Sequence, residues 1–308
     1  MPPRIAKLLA VVAALAMVGV ALLVRSRIAD DDEGGGGDGD PREAFTVMCI
    51  TELEEICRKL EPEGIEVAVE DAGTTADALV DGRPDFDAWV TIDPWPAMVD
   101  IGREQAQQPD LFGQPAAVAS SDLVLLLAGE TAADCGWECV VDASGEQQEI
   151  GIPPNDSGFG VQVVGEAFSS HMGTTDFSRQ DIQDESQWLG RLLDFAPATD
   201  AERRMATQGT AAYIAAGTTE QRADAVLDTP GGERQNLHLG APELSARADV
   251  VVAVVAGSES TDRLNGVFTG QNARAAFKAE GWTAPAVEGP TGLPAADLLV
   301  ALREETDR

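Results

Sequence analysis

Phe45-Thr46-Val47-Met48-Cys49-Ile50, then Thr51 to Leu60, then Ile65-Glu66-Val67-Ala68-Val69, then Gly73-Thr74-Thr75 leading towards Gly82, then Phe86 to Ile92: in this order the chain alternates short apolar runs with helix-forming stretches. The apolar runs have strand length and the intervening stretches have helix starts. Thr51 with Glu54 has the spacing of a capping box that opens the first helix. Asp93-Pro94-Trp95-Pro96 opens another, with proline in its first turn. Repeated strand-then-helix units predict a parallel sheet covered by helices on both faces.

Further along, Leu123 to Ala128 and Val250 to Val255 are continuous apolar runs of the kind buried on both faces. They bracket a middle segment with units of its own. These are a strand over 149–152, helices from Gly158 to about Met172, from Asp181 to Phe195 and from Asp200, and a strand Ala212-Tyr213-Ile214-Ala215. Residues 293–305 form a last amphipathic helix. The expected fold is α/β with two lobes, each a mostly parallel sheet with helices on both faces, joined by two crossover strands. Lobe 1 takes 45–121 and 250–308, and lobe 2 takes 122–249. A ligand would lie between the lobes at strand C-terminal ends.

Composition narrows the function. The formal net charge is -32, and the only lysines are Lys7, Lys59 and Lys278. Nucleic acid is excluded as a partner, because phosphate binding takes clustered Lys and Arg. Anionic lipid headgroups are excluded on the same ground. Leu8 to Val24 is an uncharged apolar run flanked by Arg4, Lys7, Arg25 and Arg27. It is read as an uncleaved signal anchor over 1–27, within the usual range of spanning lengths, with a cleaved signal as the alternative. Residues 28–44 are acidic and glycine-rich, which describes a flexible linker. The expected location is therefore the cell membrane, single-pass, with a monomeric extracytoplasmic domain.

Cys49, Cys57, Cys135 and Cys139 lie in the exported part. An even count there suggests disulfides, with the local pairs Cys49–Cys57 and Cys135–Cys139 favoured. A four-thiolate zinc site and buried free thiols are the alternatives. Enzyme chemistry is poorly supplied. There are two histidines, His171 and His238, and no HExxH, Walker A loop, GxSxG elbow or Ser-x-x-Lys. No enzyme activity and no cofactor are expected. Asp87 and Asp93 beside Trp89 and Trp95 could hold an organic cation by charge and cation–π contact, or could simply cap and pack. Glu220 could serve a cation likewise, or stabilise a helix start.

In motif order the chain resembles the type II periplasmic or extracellular solute-binding proteins, most closely the molybdate, sulfate and phosphate oxyanion binders. Asp87 to Trp95 looks like that family's third strand and following helix start. Ser120-Ser121-Asp122-Leu123-Val124-Leu125 looks like its first crossover strand. Gly151 to Gly158 is similar to the element opening the second lobe's site, 209–219 to the strand before a cleft loop, and 277–282 to the last-helix ending. A similar anchored arrangement occurs in actinobacterial proteins. The family's usual lipobox is missing. The resemblance implies an oxyanion held by helix N-termini and hydroxyls. The residues it points to are Thr51, Thr74, Thr75, Ser120, Ser157, Gly158, and Tyr213 or Thr218, with Asp93 and Trp95 at the third-strand helix start. It also implies an ABC permease as partner. The alternative is a membrane-tethered interaction or regulatory module on the same fold, without small-molecule affinity.

Overall fold

Two long apolar strands hold the molecule together in the computed structural model, which describes residues 44–144, 149–194, 197–257 and 261–306. The strands, in chain order, are β1 (Phe45–Ile50), β2 (Ile65–Glu70), β3 (Ala88–Ile92), β4 (Ala116–Leu127), β5 (Ile150–Gly151), β6 (Ala215–Thr219), β7 (His238–Leu239) and β8 (Arg247–Val254). They form one sheet in the order β2-β1-β3-β8-β4-β6-β5, with β7 paired to β4. β8 is buried along almost its whole length, as its apolar run from Val250 to Val254 must be when it is covered on both faces. β4 changes partner part-way. Residues up to Asp122 pair with β8, and Leu123 to Leu127 pair with β6. One strand thus belongs to two portions of sheet.

The expected mostly parallel sheet is mixed. β1 pairs parallel with β2 and β3, and β5 with β6. Every ladder that involves β4 or β8 is antiparallel. The reason is the return path: the chain leaves along β4 and comes back along β8, so these neighbours run in opposite senses. The described residues from Ala44 onward form a single compact unit. Its main core gathers Trp89, Trp95, Trp137, Phe159, Phe168 and Phe277, all fully buried or nearly so. A smaller core collects Leu126, Met205, Tyr213 and their neighbours.

Most expected elements are present. The strand expected over Ala212 to Ala215 begins only at Ala215. Gly209, at φ +58°, opens a short 3-10 turn over Gly209–Ala211, and the Tyr213 amide closes on the Gly209 carbonyl. The helix expected over 181–195 is two short helices, Arg179–Asp184 and Ser186–Leu192. The capping box at Thr51 does not form. A 3-10 turn covers Thr51–Leu53 with no side-chain cap, the Thr51 hydroxyl is drawn away to Asp71, and Glu54 pairs with Arg58 at 2.8 Å. The cysteines pair locally as Cys49–Cys57 and Cys135–Cys139, which sets aside both the zinc and the free-thiol alternatives. The proposed anchor and linker over 1–43 lie outside the described residues. Among the described residues no helix is long and apolar enough to cross a membrane.

The helix Gly160–Met172 carries a buried carboxylate, Glu166, at 1% exposure. Its Oε2 accepts from Trp137 Nε1 at 3.2 Å, and its Oε1 has no partner. Burial pushes this acid up to about 8; the Trp137 bond lowers it and nearby Glu243 raises it further. A carboxyl that keeps its proton on folding is destabilising once the unfolded chain ionises. The native state then binds more protons than the unfolded one, and stability falls as pH rises from about 4.5 towards 8. The expected outcome is a melting temperature that drops between pH 5 and pH 8. In Glu166→Gln this drop should be visibly flatter, as read by thermal melts across that range.

Candidate functional site

Four strands end at one place. β1 runs out into Thr51 and Glu52, and its parallel neighbour β2 into Asp71. β5 runs out into Pro153 to Phe159, and its parallel neighbour β6 into Gln221 and Arg222. Parallel neighbours finish on the same sheet edge, so each pair delivers its following residues together. With Ala198, Thr199 and Trp282 these residues enclose a cavity of about 570 Å³. That volume suits a small solute.

The walls are joined to one another by hydrogen bonds. The Gly158 amide donates to Glu52 Oε1 at 2.8 Å. The Gly73 amide donates to the Asp156 carbonyl at 2.8 Å. Trp95 Nε1 donates to the Gly158 carbonyl at 3.1 Å, and Gln162 Nε2 to the Asp93 carbonyl at 3.3 Å. Glu52 thereby places a carboxylate where the helix Gly160–Met172 begins, the position an anion would take. Close approach here needs glycine. A Cβ on Gly158 would meet Ile50 Cδ1 at 2.5 Å, and one on Gly160 would meet the Pro154 carbonyl oxygen at 1.9 Å.

Burial raises the pKa of Glu52 from its ordinary value, and Asp71 adds to the rise. Hydrogen bonds from its own amide and from Gly158, and the nearby Arg222, oppose it. Glu52 Oε2 is buried and accepts no hydrogen bond. Thr51 Oγ1 donates to Asp71 Oδ1 at 2.6 Å. Arg222 is engaged by Glu202, with Nε to Oε1 at 3.0 Å and Nη2 to Oε2 at 3.1 Å, and Nη2 also reaches the Thr199 carbonyl at 3.1 Å. Its guanidinium sits 6.0 Å above the Phe159 ring, and Phe159 stacks with Trp282 at 6.1 Å.

Of the residues singled out in the sequence, Thr51 and Ser157 line the cavity. The Ser157 hydroxyl donates to the Pro154 carbonyl at 2.7 Å and accepts from the Gly160 amide at 3.0 Å, so it shapes the loop that opens the helix. Gly158 lies behind the lining, its amide on Glu52 and its carbonyl on Trp95 Nε1. Thr74 is exposed on the helix Ala72–Asp81. Thr75 is buried and donates to Glu70 at 2.7 Å. Trp95 is fully buried and borders a separate cavity of about 270 Å³ with Met98, Val300 and Arg303. Asp93 continues the β3–β8 ladder, its amide on the Asp249 carbonyl, and its pKa is raised by burial and by Asp249.

Ser120 binds the segment after Trp282, its hydroxyl accepting from the Val287 amide at 3.1 Å. The Tyr213 hydroxyl accepts from Arg204, and Thr218 donates to Glu202. Thr218 therefore touches the cavity only at second hand, through Glu202 and Arg222. Asp87 accepts from the Thr46 amide at 3.0 Å, and Glu220 is raised by burial and by Asp122. Sequence reading passed over Glu52, Asp71, Asp156, Phe159, Arg222 and Trp282. Glu52 and Asp71 directly follow strands, which was the signal available for them. Among the described residues no group of three or more His, Cys, Asp or Glu side chains is placed to hold a metal ion.

No protein-family model matches this sequence, and no curated protein matches it. Solved structures do. Apo ferric ion-binding protein A of Pasteurella haemolytica superposes with a TM-score of 0.58 at 14% identity, over 86% of this chain and 95% of that one. The periplasmic binding protein P5PA gives 0.55 at 12% identity, over 87% and 97%. The fold is that of the periplasmic solute-binding proteins. The spermidine/putrescine ABC transporter substrate-binding protein PotD of Streptococcus pneumoniae shares this solute-binding fold with a TM-score of 0.51 at 12% identity, over 79% and 83%.

Gly158→Ala forces the Glu52 side chain and Ile50 apart and costs about 1–3 kcal/mol. The full chain should melt lower and scatter as a larger particle in small-angle X-ray measurements. Gly190→Ala, where an added Cβ meets nothing within 4 Å, should leave both readings unchanged.

Proposed function

We propose that this chain is an extracytoplasmic solute-binding protein, held at the membrane by residues 1–27, that captures a small ligand for ABC-type uptake or for sensing. In this reading residues 45–121 and 250–308 make one lobe and 122–249 the other, with β4 and β8 as the crossover strands. The observation that carries the reading is the cavity. Its lining comes from β1 and β2 on one side and from β5 and β6 on the other, so hinge closure about β4 and β8 would bury a ligand from both sides.

The oxyanion class favoured by sequence resemblance rests on hydroxyl donors and helix N-termini. In the cavity the Thr51 and Ser157 hydroxyls already donate to Asp71 and Pro154, and the amide of Gly158 to Glu52. Those donors would have to be released to receive an anion. A second reading, an interaction module without solute affinity, is favoured by the same four wall-to-wall hydrogen bonds, which close the site with the protein's own groups.

A thermal-melt screen of the full chain against oxyanions, amino acids, quaternary amines and polyamines decides between the two. A true ligand at 100 times its dissociation constant adds about 2.7 kcal/mol, well above detection. It should also change tryptophan fluorescence, and Trp282→Phe should remove that change. A flat response to the whole panel would overturn the solute reading and leave the interaction module.

A further inference from the structure

Resting on the solute-binding reading, we propose that the cavity takes a compact organic cation, a primary or quaternary ammonium compound, and excludes inorganic oxyanions. Three independent features of the cavity point there.

The first is charge. Glu52, Asp71 and Asp156 line it, and the only cation among the lining residues is Arg222. Arg222 is already neutralised by Glu202, with both carboxylate oxygens engaged. The field inside is therefore set by carboxylates with no counterion left over. Surface acidity of the whole chain does not account for Glu52, which is largely withdrawn from solvent. A dianion such as sulfate would enter against all three carboxylates at once, without a free guanidinium or ammonium to receive it.

The second is the occupied helix start. The amide at Gly158 is satisfied by Glu52 Oε1 at 2.8 Å. The groups an oxyanion would use are thus spent on a carboxylate that belongs to the protein. The remaining oxygen, Glu52 Oε2, is buried with no hydrogen bond. A buried acceptor without a donor is costly, and parting of the walls would offer it to a ligand that brings N–H donors or positive charge.

The third is the aromatic wall. Phe159 and Trp282 stack beside the carboxylates. Both rings are nearly fully buried and give the cavity an apolar edge, and an apolar edge beside negative charge suits the carbon groups of an organic ammonium compound, by contact with Coulomb support. The lining carboxylates do not converge tightly enough to ligate a bare metal ion. They do fit a charge spread over a molecule of several atoms, within a volume of about 570 Å³.

Isothermal titration calorimetry with the full chain tests this directly, using choline, tetramethylammonium and putrescine against sulfate, phosphate and molybdate. At least one of the cations should bind, and none of the three oxyanions. Affinity should fall as salt rises. Asp71→Asn and Asp156→Asn alter exposed carboxylates, so both variants should fold, and each should weaken the cation at least fivefold. Glu52→Gln should weaken it at least tenfold. Oxyanion binding with unchanged affinity in Asp71→Asn and Asp156→Asn would overturn the cation assignment while leaving the solute-binding reading in place. Heat from none of the six probes would overturn both. Cation binding that ignores all three substitutions would move the cation away from this cavity and overturn the assignment as well.

Discussion

The antiparallel contact between β4 and β8 is the interaction everything else depends on. Each strand carries a long apolar run, Leu123 to Leu127 in β4 and Val250 to Val254 in β8, that is largely buried. Pairing them puts a doubly covered ladder at the centre of the sheet. Because β4 is longer than its partner, its second half projects beyond the pairing and offers an edge to β6 and β7. The middle segment of the chain is organised on that edge. Without the β4–β8 ladder, β1, β2 and β3 would share no sheet with β5 and β6, and nothing in the sheet would bring the four loops of the cavity together.

Much of this was legible in the sequence because period and burial are strong signals there. The runs Phe45–Ile50, Ile65–Glu70 and Val250–Val254 announce themselves by apolar content, and Pro96 and Gly82 mark helix limits. The local disulfides followed from spacing and even count. What could not be read depended on contacts between distant residues. Thr51 carries a capping-box partner at Glu54, yet its hydroxyl goes to Asp71, twenty positions away in the chain. The shift of β6 to Ala215 reflects a backbone turn at Gly209 that no hydropathy pattern encodes. The mixed sheet follows from the return path of the chain, not from any one strand.

The candidate site was legible as a location more than as a chemistry. Residues after β1 and within the Pro153 to Gly158 loop were identified, and two of them, Thr51 and Ser157, do line the cavity. Hydroxyls drew attention because their donors suit anions. The side chains that set the electrostatics were acidic, and acidic residues in a chain of net charge -32 carry little information one at a time. Only their placement separates Glu52 from a solvated surface carboxylate. Arg222 illustrates the same point in reverse. As a residue it suggests anion binding, but its environment, a bidentate contact with Glu202, removes it from that role.

On the solute-binding reading, the hydrogen bonds that tie Gly158 to Glu52 and Trp95, and Gly73 to Asp156, would set the kinetics of any encounter. On that reading all three must break together before a molecule enters. A molecule can enter only during the fraction of time when the walls part, and its apparent affinity is reduced by that fraction. Entry then becomes a gated event whose rate belongs to the protein and stays the same for every competing molecule. Selection among molecules falls to how long each one remains once the walls have closed over it.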